Sequence, residues 1–356
     1  MAHYRIVRLR EEMRKKSLNA LIVSSPQSVR YLTSFSGSNA LCIITPSRAL
    51  FFTDSRYGLQ SKQEVKGMSR AITRRGLFEE VAEREILAGH RRVGFESHHI
   101  TYAQYRSLRK LFPGTAFVST ADFVEGIALV KDRREISIIR EAVRISDKVF
   151  KEALHTIRAG VSELDVAAEI AYFHKKFGAE GEAFEAIVAS GERGSLPHAR
   201  ATSKRIKSGE FVTLDFGCTL KGYNSDITRT IAVGKPSQRA REIYSVVLDA
   251  QRKAIASARG GMWAKDLDDV ARRSIKRGGY GRYFTHSLGH GLGLNVHERP
   301  RVSALSKERL QAGSVITIEP GVYVPGFGGV RIEDDVLLTE HGCEVLNTAP
   351  KELLIV

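Results

Sequence analysis

The stretch Val212-Thr-Leu-Asp215-Phe-Gly217 is followed, eleven residues on from Asp215, by Asn224-Ser-Asp226-Ile-Thr-Arg229-Thr230, and the fold reading turns on this pair. Each segment is a strand pattern with a carboxylate at its edge. Asp215 ends an apolar run at 211–214, and Asp226 stands just ahead of one at 228–233. Gly217 and Gly222 lie between them, so a hairpin can bring the two carboxylates together. Carboxylates held that close repel unless a cation neutralises them. The competing reading is that each aspartate caps a turn of its own.

Downstream, the segment Thr285-His286-Ser-Leu-Gly-His290-Gly-Leu-Gly-Leu-Asn-Val-His297-Glu298-Arg-Pro300 sets three histidines in twelve residues among three glycines. A lone histidine is usually a packed structural residue, but three in a glycine-rich run point to a site that the backbone approaches closely. Ile318-Glu319-Pro-Gly then follows an apolar strand at 315–318, and Val330-Arg331-Ile-Glu333-Asp334-Asp335 leads into another at 336–338. A carboxylate beside a buried strand is costly unless it is paired. Strand alternation predicts Arg331 and Glu333 on one face, with Ile332 and Asp334 on the other. The competing reading of Glu333-Asp334-Asp335 is an exposed acidic turn.

Upstream, residues 131–157 read as one long amphipathic helix with Ile136, Ile139, Ala142, Val143, Ile145, Val149 and Phe150 on its apolar side, ended by Gly160. A second helix starts at Ser162, where Ser162 and Asp165 approximate a capping box. Further helices are expected at 238–258 and 265–277. Before residue 120, strand patterns at 20–24, 40–45, 49–53, 92–96 and 115–119 alternate with helical ones at 77–87 and 101–112, the last stopped by Pro113. The chain therefore reads as an α/β domain over 1–130 and an α+β domain over 131–356 that carries all the candidate chemistry.

Composition narrows the function classes. The 356 residues are 42% hydrophobic and 27% charged, and no apolar run reaches the roughly 18 residues a membrane helix needs. Cys42, Cys218 and Cys343 are too far apart and too few for a disulfide framework or a cysteine zinc site, which suits a reducing cytoplasm. The net charge of +15 raises nucleic acid as a partner. The basic residues are scattered through both domains, however, and no recognition motif accompanies them, so they read as a solvated surface.

The ordered set Asp215, Asp226, His290, Glu319 and Glu333 resembles the five metal ligands of the pita-bread metallopeptidases, which include methionine aminopeptidase, aminopeptidase P and prolidase. The resemblance extends to Leu196-Pro-His198-Ala, to Val296-His297-Glu298-Arg-Pro300 and to Glu319-Pro-Gly-Val-Tyr323. It implies a pita-bread (creatinase/aminopeptidase-like) catalytic domain behind a creatinase-type N-terminal domain. It also implies two divalent ions per chain (Mn²⁺, or Co²⁺ or Zn²⁺) that activate a water, with Asp226 and Glu333 bridging them. Glu319 would accept the proton, and His198 and His297 would hydrogen-bond the substrate and the oxyanion. His286 and Tyr323 would shape the subsite for a proline ring, and Arg331, counted with them among the substrate-binding residues, would orient Glu333. No ligand is missing, which counts against the relatives on this fold that have lost their metals.

The extra N-terminal domain is similar to the aminopeptidase P and prolidase arrangement. Tyr31-Leu-Thr-Ser-Phe-Ser-Gly37-Ser38-Asn-Ala and Leu50-Phe-Phe-Thr-Asp54-Ser-Arg56-Tyr57 look more like the aminopeptidase P branch. The expectation is thus an Xaa-Pro aminopeptidase acting on proline-containing peptides, in a cytoplasmic homodimer. The alternatives are an Xaa-Pro dipeptidase, a non-peptidase hydrolase or a metal-free binding protein on the same fold.

Overall fold

The computed structural model describes residues 2–356, and the elements below are those of the described residues. The chain divides after Ala128 into two compact units. In the first, strands β1 (Ala20–Val23), β2 (Ala40–Ile44), β3 (Ala49–Asp54), β4 (Ser69–Thr73), β5 (Arg92–Phe95) and β6 (Ala116–Ser119) form one sheet in the order β4-β3-β2-β1-β5-β6. All four residues of β1 are buried between an antiparallel β2 and a parallel β5, as a strand covered on both faces requires.

The helices of this unit are α1 (Ala2–Lys15), α2 (Pro26–Thr33), α3 (Gly58–Glu64), α4 (Leu77–Glu83), α5 (Tyr102–Leu111) and α6 (Phe123–Ala128). Helix α5 starts from a capping box of Thr101 and Gln104. Helix α4 is shorter than its pattern predicts, because the chain turns through Glu85 at φ 52°. Strand β4 leaves no trace in the sequence pattern. It is an edge strand, and of Ser69-Arg-Ala-Ile-Thr73 only Thr73 is buried.

The second unit opens with α7 (Arg133–Thr156). The Asp132 carboxylate accepts the N–H groups of Arg134 and Glu135, and the Glu135 carboxylate accepts that of Asp132, which sets where the helix begins. Gly160, at φ 91°, turns the chain into α8 (Glu163–Lys176), capped by Ser162 and Asp165. Strands β7 (Gly181–Glu182), β8 (Ile187–Ser190), β9 (Phe211–Phe216), β10 (Cys218–Leu220), β11 (Tyr223–Asn224) and β12 (Ile227–Ala232) follow. They form two sheets, β12-β9-β8 and β11-β10-β7.

Asp215 and Asp226 are therefore not joined by the simple hairpin expected. Strands β10 and β11 fold out between them into the second sheet, and β9 and β12 then pair directly, with Thr228 opposite Asp215. Gly217 permits this, since a Cβ there would lie 1.8 Å from the carbonyl oxygen of Ser225.

After α9 (Gln238–Ser257) and α10 (Ala264–Arg277) come β13 (Gly289–Gly291), β14 (Glu298–Val302), β15 (Val315–Ile318), β16 (Gly321–Val324), β17 (Gly328–Arg331), β18 (Asp334–Leu338) and β19 (Cys343–Val345). Strands β14-β13-β15-β18-β19 form a sheet, and β16 and β17 a hairpin. Helices α7 and α8 pack on β8, β9 and β12 around Phe150, Val188, Leu214 and Phe216. Helices α9 and α10 pack on the later strands around Val247, Leu267, Ile318 and Val336. This α+β, pita-bread arrangement faces the acidic strand ends of one half towards the histidine and glutamate segments of the other. No described helix is long and apolar enough to cross a membrane.

Candidate metal centre

In β9, Val212, Leu214 and Phe216 point into the core, which turns Thr213 and Asp215 to the opposite face. Asp226, just ahead of β12, is fixed by its backbone N–H, which donates to Asp335 Oδ2 at 2.9 Å. Glu333 is fixed by its N–H to the Thr228 carbonyl (3.1 Å), and its Oε2 accepts from the Thr228 hydroxyl at 2.6 Å. Glu319, just past β15, donates its N–H to the carbonyl of Leu288, next to the strand that holds His290.

These placements bring Asp226, His290 and Glu333 together, with one ligand atom from each, all within 4.8 Å of one another. Glu319 adjoins them, its Oε1 lying 3.4 Å from His290 Nε2. Asp215 is tied to Arg331, and its charge is felt by Asp226, Glu319 and Glu333.

Whether these residues fit a metal is decided by what they lack. Asp226 Oδ1 is buried and has no hydrogen-bond partner. His290 Nδ1 lies 3.1 Å from the Gly291 carbonyl, which assigns the proton to Nδ1 and turns the Nε2 lone pair towards Glu319 and Asp226. Burial, with His297 nearby, lowers the pKa of His290 to about 4, so the ring is not the missing counter-charge. Burial and then the neighbouring carboxylates hold the carboxyls of Asp226 and Glu333 well above the usual range. Burial pushes Glu319 up to about 8 against the pull of Arg331. An oxygen-rich cluster with one imidazole and too little positive charge is the donor set of a divalent cation.

Arg331 does not orient Glu333 directly, as the sequence predicts, nor is it in a surface ion pair. It is buried, and its Nη2 donates to Asp215 Oδ2 at 2.6 Å. Nη1 donates to Tyr323 Oη (2.8 Å) and to the Pro197 carbonyl (3.2 Å), and Nε reaches the Thr228 hydroxyl (3.1 Å). Arg331 thus reaches Glu333 by hydrogen bonding only through Thr228, although its charge also acts on Glu333, and four of its five N–H groups are used within the chain.

Glu333, Asp334 and Asp335 are all buried, so they do not form an exposed acidic turn. Alternation separates them: Glu333 and Asp335 serve the cluster, while Asp334 takes Arg229, Gln251 and Lys351. Sequence reasoning gave no role to Asp335 or Arg229. The signal for Asp335 was its two-residue spacing from Glu333.

His286 is neutral, its pKa lowered to about 4 by burial and by Arg331. Its Nδ1 lies 2.7 Å from the Ser287 carbonyl and its Nε2 2.9 Å from Tyr323 Oη. With Arg331 donating to that phenol, Tyr323 donates to Nε2, so both ring nitrogens are committed and a substrate would meet the ring itself. His297 is exposed, and its ring packs edge-on to that of His290 with centroids 4.3 Å apart. His198 is also exposed and is close enough to His286 and His297 to lower the proton affinity of both.

Residues 137–340 match the Metallopeptidase family M24, and residues 5–130 match the Creatinase/Prolidase N-terminal domain. The chain is 40% identical over 352 residues to an Xaa-Pro dipeptidase of Pyrococcus furiosus, an alignment covering 98% of this chain and 99% of the relative. Among solved structures, an Xaa-Pro dipeptidase from Bacillus anthracis superposes with a TM-score of 0.97 at 41% identity, covering 100% of both chains. An X-Pro aminopeptidase from Thermotoga maritima superposes with a TM-score of 0.91 at 37% identity, covering 97% of this chain and 100% of that one. With its catalytic unit and its N-terminal unit each matched, the chain belongs to metallopeptidase family M24, in the branch that carries a creatinase/prolidase N-terminal domain.

Proposed function

We propose that this chain is a metal-dependent Xaa-Pro dipeptidase. The choice over the aminopeptidase reading rests on the relatives that align over nearly its whole length at 40–41% identity and are named Xaa-Pro dipeptidases. The single observation that carries the metal chemistry is the convergence of Asp226, His290 and Glu333 with an unpartnered carboxylate oxygen. The aminopeptidase reading stays as the second one, on the strength of the Thermotoga neighbour.

Asp215, Asp226, His290, Glu319 and Glu333 would hold two divalent ions, with Mn²⁺ the first to try. When bound, such ions acidify water and polarise the scissile carbonyl. The chain's own residues do the rest. Glu319, whose Oε1 accepts from Thr317, is the proton acceptor, and Arg331 holds the Asp215 carboxylate in place through Nη2. His198 and His297, both exposed, donate to the substrate carbonyl and the developing oxyanion, where one such donor typically supplies about 3 kcal/mol. The neutral His286 ring offers a flat surface to proline, whose tertiary amide brings no N–H.

The test is hydrolysis of Ala-Pro, Ala-Pro-Ala and Ala-Ala-Ala by metal-stripped protein with and without added Mn²⁺. Metal-dependent cleavage of Ala-Pro in preference to the tripeptides is the expected result. Preferential cleavage of Ala-Pro-Ala before proline would establish the aminopeptidase instead, and no cleavage of either proline peptide would sink both readings.

A further inference from the structure

The geometry points to Asp268 and Arg272 on α10 as positioning residues that set the register of segment 284–288, and with it the place of the His286 ring. The two side chains form a bidentate ion pair one helical turn apart, with Arg272 Nε to Asp268 Oδ2 at 2.8 Å and Nη2 to Oδ1 at 3.0 Å. Asp268 is fully buried. The pair does not stop at itself. Arg272 Nη1 donates to the Phe284 carbonyl at 3.0 Å, Nη2 donates to the His286 carbonyl at 2.9 Å, and Asp268 Oδ1 accepts the N–H of Leu288 at 3.0 Å. Every second backbone unit from 284 to 288 is thus held by one fork.

Side-chain contacts run the same way. The Arg272 guanidinium lies over the Phe284 ring at 4.3 Å, and that ring meets His286 edge-on at 5.2 Å. Beyond the held carbonyl, His286 Nε2 meets Tyr323 Oη, which accepts from Arg331, which in turn holds Asp215. Beyond the held N–H, the Leu288 carbonyl accepts the N–H of Glu319. The α10 pair is therefore linked to both sides of the cluster without touching it.

A surface helix pair would need none of this, since an exposed i,i+4 pair contributes only about 0.3–0.5 kcal/mol and asks nothing of a neighbouring loop. Here four N–H groups of a planar guanidinium are shared between one carboxylate and two carbonyls, a geometry that lysine cannot reproduce. Replacing Arg272 by Lys keeps the charge opposite Asp268 and gives up the fork. The Lys variant therefore separates charge balance from positioning.

The inference rests on the reading that His286 lines the substrate site, and the experiment keeps the two apart. Wild type, R272K and the double variant D268N/R272Q, which leaves no unpaired charge, are compared, loaded with Mn²⁺ for kinetics and with diamagnetic Zn²⁺ for NMR. The measurements are melting temperature, metal content, KM and kcat for Ala-Pro and, with ¹⁵N-histidine labelling, the ring resonances of His286 assigned by H286N. The expected result in R272K is full metal content, a melting temperature near that of wild type, KM raised roughly ten-fold against a kcat changed less than three-fold, and a shifted His286 ring signal. KM within two-fold of wild type together with an unmoved His286 signal in both variants would overturn the inference. If wild type cleaves no proline peptide, the proposed function falls, while the His286 signal still decides the positioning role.

Discussion

His174, on α8, is fully buried against Phe216, and neither of its ring nitrogens has a hydrogen-bond partner. A ring held that way is penalised by desolvation when it takes a second proton, and burial lowers its pKa from 6.5 to about 4. The unfolded chain protonates first, so this residue's contribution to stability is complete above about pH 6.5 and is lost as pH falls towards 4. At pH 5 the loss is about 2 kcal/mol, which for a unit of this size is about 4–8 °C in melting temperature. His174→Leu, which keeps the volume and removes the proton site, should shrink the fall in melting temperature between pH 7 and pH 5 by that amount. Equal slopes in thermal melts of variant and wild type would show that the buried ring is not the group being titrated.

At the scale of elements, the strand that carries His290 is shaped by its glycines. A Cβ at Gly289 would sit 2.0 Å from the Thr317 carbonyl oxygen, and one at Gly291 would sit 2.0 Å from that of Arg299. Both obstacles are backbone, in the strands on either side of β13, so neither can rotate away. Gly289→Ala must push β13 off β15 and so move His290 relative to Glu319. The expected cost is about 1–3 kcal/mol of stability, with a fall in kcat/KM of roughly 100-fold from the displaced ligand. Gly126→Ala serves as the control, because Gly126 lies within α6 and a Cβ there meets nothing within 4 Å. It should leave activity unchanged and add up to about 1 kcal/mol of stability. If Gly289→Ala matched that control in melts and assays, the close approach of β13 to β15 would not be what places the site. The C-terminal segment makes a second clasp on the site. Arg229 donates to the carbonyls of Thr228, Glu333, Ala349 and Pro350 and to Asp334, fastening the strand that follows Asp226 to the backbone of Glu333.

For the molecule as a whole, the site stores electrostatic repulsion that folding alone does not relieve. Asp226, Glu319, Glu333 and Asp335 are all held above their usual proton affinities, chiefly by burial. A ligand that binds only the folded state stabilises it by mass action, by about 2.7 kcal/mol at one hundred times its dissociation constant. Chelator-treated protein titrated with Mn²⁺ should therefore gain about 5–10 °C in melting temperature, and gain activity over the same concentration range. Activity that returned without any rise in melting temperature would place the activating ion outside this cluster.

Local pattern determined a good deal. The stripe of α7, the cap at Ser162, the apolar strands and the chemical character of the donor set are all legible in the chain, because periodicity and the residue at a strand end report which face is buried. Pattern gave no sign of β4, an edge strand with almost nothing to bury, and it joined Asp215 to Asp226 by a hairpin where a second sheet intervenes. It also could not pair the side chains. That Arg331 serves Asp215, 116 residues away, that Arg229 ties Glu333 to the C-terminal segment, and that Arg272 holds the carbonyl of His286 were decided only by the tertiary structure. The physical reason is that a buried charge is satisfied by whatever donor packing brings within 3 Å or so, and sequence spacing carries no record of which distant segment that will be.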